Sequence, residues 1–196
     1  MAKESADVLI DWDFIFPSVP PIGSELRTAF RERWVRFHSL PDSKRYPENA
    51  DDYAELLARH NTVLAELAHS LESVKLITAG YSDDAEPIRS YSALLTIDPT
   101  AKFWRTVIDD GIDQGDGPDF CHFYLSEWTF SPGIFDPLIR FIAEEDIANV
   151  LIAASDLRWV LHPYDGGMDV IAPSIEERGR LRDRHSNWCS SRADGL

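Results

Sequence analysis

The sequence predicts a single α+β domain over residues 1–196, built on a mainly antiparallel sheet. Three observations carry this: apolar runs that alternate like strands, amphipathic runs with helix-start signals between them, and a C-terminal series of strands joined as hairpins rather than in strict strand–helix–strand alternation. At 196 residues and 44% hydrophobic content the chain is long enough for one well-buried core and too apolar for disorder.

Taken in order, the aromatic stretch 12–16, closed by Pro17 and followed by Pro20-Pro21, reads as an irregular segment packed by its rings. A short helix follows over 24–30 with Ser24 as N-cap, then a strand at 34–38 that Pro41 closes. The clearest helix pattern covers 49–71. Asn49 can cap it, Asp51, Asp52 and Glu55 suit the positive end of its dipole, and apolar or ring side chains recur from Tyr53 to Leu71 at helical spacing. Residues 74–79 form a buried strand, 103–108 a second and 121–130 a third, with a Gly-rich acidic loop at 109–119. Asp136 and Pro137 open a helix over 137–146. Strands are expected at 150–154, 157–162 and 168–172, the last two joined through Asp165-Gly166-Gly167, which has hairpin turn chemistry. Ser174 and Glu177 form a capping box that starts a final helix over 175–188.

The formal charge of −15 is unevenly placed. Residues 47–157 hold 21 acids and 6 bases, which accounts for all of it, while the flanks hold 13 of each. Those flanks contain two basic clusters, Arg27, Arg31, Arg33, Arg36, Lys44 and Arg45, then Arg178, Arg180, Arg182 and Arg184. Such a chain repels nucleic acid and anionic membranes, least so at its flanks. Two cysteines match a reducing compartment, and no apolar run approaches the ~20 residues of a membrane span. The first residues lack the apolar core of a secretory signal, so a cytoplasmic protein is expected.

No phosphate-binding glycine loop, nucleophile elbow or zinc motif occurs, and neither a metal nor a cofactor is expected. The five carboxylates of 109–119 lack EF-hand spacing and read as an acidic connector. Cys121 and His122, as neighbours on a strand, point to opposite faces and cannot pair. The richest local motif runs over 162–169. It places His162, Tyr164, Asp165 and Asp169 around one turn, a set able to do general acid–base work, although turn chemistry alone also explains it. The arginines of the last helix read as a solvated or salt-bridged face, and Lys44 and Arg45 as pairing toward the acidic middle.

The segments Arg36-Phe37-His38, 40–46 and Arg59-His60-Asn61-Thr62, together with 162–171, Arg184-His185 and Trp188, resemble an uncharacterised bacterial family, a domain of unknown function. That resemblance implies a bacterial, cytosolic, single-domain protein and supplies no catalytic residues. By type, the small acidic chain is also similar to the immunity proteins of bacterial toxin systems. The leading expectation is therefore a non-enzymatic interaction protein that binds a basic protein partner. Its acidic surface would include Asp109, Asp110, Asp113, Asp116 and Asp119, with Trp128 as an anchor. The alternative is an enzyme or small-molecule sensor with a pocket near the 162–169 hairpin. Oligomeric state is not legible in the sequence.

Overall fold

The computed structural model describes residues 12–69, 71–109, 119–144, 147–192 and 195. Its strands are β1 (Trp34–His38), β2 (Ser73–Ser82), β3 (Lys102–Asp109), β4 (Asp119–Thr129), β5 (Leu151–Ala154), β6 (Val160–Tyr164) and β7 (Gly167–Ile171). They pair in the order β1-β7-β6-β5-β2-β4-β3, each neighbouring pair antiparallel. The helices are α1 (Gly23–Ala29), α2 (Ala50–Leu67), α3 (Ser92–Ile97), α4 (Asp136–Ala143) and α5 (Ile175–Arg184). The fold is α+β, as the sequence predicts.

Apolar layers cover both faces of the sheet. On one, Phe37, Leu76, Ile152, Leu161 and Val170 pack under Leu56 and Leu64 of α2, Leu138 and Ile142 of α4, and Leu181 of α5. On the other, Ile77, Phe123, Leu151, Val160 and Ile171 meet Trp12, Phe16 and Leu26. Coverage on both sides explains why residues 74–80 of β2 are buried without alternation.

Several element boundaries differ from expectation for local reasons. The cap of α1 is Ile22, without a side-chain bond, rather than Ser24. Asn49 does cap α2, accepting from the Asp52 N–H at 3.0 Å. That helix ends at Leu67 because Ala68 is extended and Leu71, at φ 66°, turns the chain so that its N–H reaches Phe130 O. Asp136 lies inside the first turn of α4 and accepts from Asn61 Nδ2 at 2.7 Å. Strand β6 begins later than expected because Leu157, at φ 59°, belongs to the turn. It also runs through Pro163. The pairing of β5 ends at Leu161, so the missing proline N–H costs no bond on that side. Helix α5 stops at Arg184, and Ser186–Trp188 form a separate 3₁₀ turn. Ser174 caps α5 through the Glu177 N–H at 3.2 Å. Residues 12–15 are a helical turn, not irregular, and α3 had no counterpart in the sequence reading.

Candidate functional site

The register of the β1–β7–β6 end brings the motif residues together. Asp169 lies beside Arg36 of β1 and His162 of β6, so the three form one row across the sheet. His38 and Tyr164 flank Gly167 in the next row. Because side chains alternate along a strand, these residues continue the face that Trp34, Val160 and Ile171 occupy two positions earlier. Helix α1 sits over that face, and the turn at Pro41–Ser43 closes one side. A cleft of ≈ 410 Å³ results, lined by Ser24 and Arg27 of α1, Ser43 and Arg45 of the turn region, and all four hairpin residues His162, Tyr164, Asp165 and Asp169. The hairpin end is therefore walled rather than a bare convex tip.

Its charges are arranged in pairs. Arg36 grips Asp169 with both ends of its fork, Nε to Oδ1 at 2.7 Å and Nη2 to Oδ2 at 2.8 Å. Arg27 adds a longer contact at 3.7 Å. Asp169 is only 3% exposed, so this fork satisfies a buried carboxylate. The Arg36 guanidinium also lies between two rings, 4.7 Å from the Tyr164 centroid and 5.6 Å from that of Trp34. Asp165 pairs with Arg45 and accepts the Gly166 N–H at 2.9 Å. Gly167 is required here, because a Cβ would overlap Phe37 O on the adjoining strand.

The two histidines are the uncharged members. Burial lowers the His162 pKa to about 4, and Arg36 and Arg27 add to the shift while Asp169 opposes it. Its Nδ1 is buried with no hydrogen-bond partner. Gly23 of α1 packs directly on the ring, where any Cβ would overlap it. A ligand in the cleft must therefore reach this imidazole through Nε2. His38 is also lowered, by burial and then by Arg36 and Arg59, and its Nε2 is buried without a partner. Burial raises the Tyr164 phenol, which stays protonated at neutral pH.

Three guanidinium groups against two carboxylates leave the cleft positive within an acidic protein. It offers donors from Arg and Tyr164 and a neutral imidazole. Two hydroxyls, of Ser24 and Ser43, also line the cleft.

The four hairpin candidates thus converge. The arginines of the cleft were visible as a basic cluster, but their partners were not. Lys44 does pair toward the acidic middle, with Glu48 at 3.0 Å and Asp52 at 2.6 Å, whereas Arg45 turns to Asp165. Asp109 and Asp119 prove to be paired strand ends of the β3–β4 hairpin rather than loop residues, and Asp110, Asp113 and Asp116 lie outside the described residues. Trp128 is half-buried. Its Nε1 donates to Ser126 Oγ at 2.9 Å and its ring lies 5.5 Å from that of Phe135. Cys121 joins the Trp104–Phe123 core layer, while His122 on the opposite face bonds Thr106 Oγ1 at 2.8 Å and Ser82 Oγ at 3.0 Å.

Fold and site together define an α+β domain with a basic cleft set on one end of an antiparallel sheet. The chain belongs to the family described as Domain of unknown function (DUF3885), whose model matches residues 22–193 and so spans every cleft residue. No curated protein and no solved structure matches the chain. Among the described residues, no group of three or more His, Cys, Asp or Glu is placed to hold a metal, and no helix is long and apolar enough to cross a membrane.

Proposed function

We propose that this protein is a small-molecule binding domain whose cleft takes a small organic anion. The supporting observation is the convergence of Arg27, Arg36 and Arg45 with the neutral His162 in one ≈ 410 Å³ space. That volume falls within the range of ligand pockets, about 300–1,000 Å³. Arg36 spends Nε and Nη2 on Asp169, which orients the guanidinium and leaves Nη1 for a ligand carboxylate. His162 and Tyr164 supply polar contacts that select the rest of the molecule. Neither cysteine forms a disulfide, in keeping with a cytoplasmic setting.

The reading as an immunity-like partner for a basic protein has less support. Lys44, Arg158 and Arg184, all from outside residues 47–157, each take a carboxylate from that segment, so part of its excess acidity is offset within the chain.

The test is a calorimetric titration of the full chain with a panel of organic acids from acetate to citrate. At least one member should bind saturably, and Arg27→Ala should weaken it at least tenfold while circular dichroism stays unchanged. Absence of saturable binding across the panel, or equal affinity in the variant, overturns the reading.

A further inference from the structure

Strands β4 and β3 form the end of the sheet opposite the cleft. Phe120, His122 and Tyr124 alternate onto one face of β4. Segment 83–91 crosses that face, with Asp84 O 3.0 Å from His122 Nε2 and the Arg89 guanidinium over the Tyr124 ring. Ile108 of β3 pairs directly with Phe120 and so points the same way. Simple alternation would turn Phe103 to the other side. The β3 register instead slips by one residue between Phe103 and Arg105. That bulge sends the Trp104 ring to Trp12 and Phe123 in the core and sets Phe103 against Tyr124, their ring centroids 5.9 Å apart. Phe103 and Ile108 therefore share a face and are 43% and 53% exposed. Ile88, 44% exposed, joins them from a segment packed so closely on β2 that a Cβ at Gly80 would overlap Ile88 O.

Carboxylates border these apolar side chains. Asp83, Asp84 and Glu86 are exposed and make no ion pair among the described residues, whereas Asp52, Glu66 and Glu72 are taken by internal bases. Arg89, the base of the same segment, donates to Asp98 O and Leu94 O at 2.8 and 3.0 Å, and Arg105 pairs with Asp13 on the opposite face. Residues 110–118, which join β3 to β4, lie outside the described residues. The surface is defined by Ile88, Phe103, Ile108 and the three carboxylates alone. Phe103 and Ile108 stand five residues apart, roughly 15 Å along a strand, a reach that suits a stretch of polypeptide better than a small metabolite. The carboxylates repel nucleic acid and anionic lipid. A second copy joined through a two-fold axis would set the same carboxylates against one another. The complement is a surface that is both apolar and cationic. We propose that this face docks a basic segment of another protein, with apolar side chains on Ile88, Phe103 and Ile108 and Lys or Arg beside Asp83, Asp84 and Glu86. None of these residues lines the cleft, so the two sites stand or fail separately.

The experiment titrates the full ¹⁵N-labelled chain with a short synthetic peptide of alternating lysine and valine. A second peptide, lysine alternating with serine, carries the same charge without the apolar side. Saturable amide shifts are expected, gathered in 82–90, 103–108 and 120–124, with the valine peptide bound at least tenfold more tightly. Ile108→Asn, at an exposed position, should weaken that binding at least tenfold while circular dichroism stays unchanged. Phe14→Asn removes a ring that is 81% exposed, from the turn whose Trp12 and Phe16 cover the opposite face, and should stay within twofold. No saturable binding, equal affinity for the two peptides, shifts spread over the acidic surface at large, or equal loss in both variants overturns the proposal. So does a parent chain that self-associates in sedimentation equilibrium and becomes monomeric on Ile108→Asn, which assigns the face to a second copy.

Discussion

At the scale of single residues, Asp169 is the group on which the cleft depends. It is buried, and two arginines from separate elements address it. Replacing it with asparagine keeps the shape but removes the charge that holds Arg36 in place, leaving a mostly buried guanidinium uncompensated. Breaking such a pair typically costs about 3–5 kcal/mol. We therefore expect Asp169→Asn to lose on the order of 3 kcal/mol in urea unfolding. The double change Arg36→Met with Asp169→Leu should recover much of that, because removing both charges also removes their desolvation. A single variant as stable as the parent would show that the fork contributes nothing to folding.

At the scale of elements, α1 is the roof of the cleft, and one side chain far along the chain holds it. Asn149 accepts the Gly23 N–H on Oδ1 at 3.0 Å and donates Nδ2 to Pro21 O at 3.1 Å, from a backbone at φ 49° that asparagine tolerates well. Asn149→Ala removes both bonds and strains the backbone. Hydrogen exchange should then accelerate across residues 12–30 at least fivefold while β2 and β4 remain protected. Uniform acceleration, or none, would show that α1 is not held there. The same contact shows which parts of the structure could be read in advance. Helix α2 and the β6–β7 hairpin were legible because their signals are local: a cap, a 3.6-residue period, a glycine turn. His162 and Asp169 could even be seen as neighbours, since the turn sets their register. The arginines were visible only as a composition cluster. Arg36 meets Asp169 through pairing between segments 133 positions apart, and Asn149 reaches Gly23 across 126. Hydrophobic periodicity carries no information about which distant strand lies alongside. The Lys44–Asp52 pair, eight residues apart, lay within reach of the sequence reading, whereas Arg45–Asp165 did not.

At the scale of the whole molecule, internal ion pairs offset part of the acidity that dominates the composition, and two buried neutral histidines add a pH dependence of their own. His60 on α2 is 1% exposed, with Nδ1 2.9 Å from Leu56 O, and burial lowers its pKa to about 4. His162 is lowered to the same value. The unfolded chain takes up protons at both histidines near their ordinary 6.5, whereas the native state refuses them until about pH 4. Between those limits the unfolded state binds more protons, so stability rises with pH through that window and levels off above it. Each histidine contributes a slope approaching about 1.4 kcal/mol per pH unit in the middle of the window. Urea unfolding at intervals from pH 4 to 8 should show a plateau above pH 7 and a decline below 6.5. His60→Gln should lower the slope by about one proton's worth, and His162→Gln by the same amount from the opposite face of the sheet. Because the two sites share no contact, their effects on the slope should add. A wild-type curve that is flat across this window, or variants that keep its full slope, would mean that both imidazoles gain protons in the native state as readily as in the unfolded chain. His162 would then be a cation at mildly acidic pH, and the cleft would bind anions more tightly as pH falls rather than depending on its arginines alone.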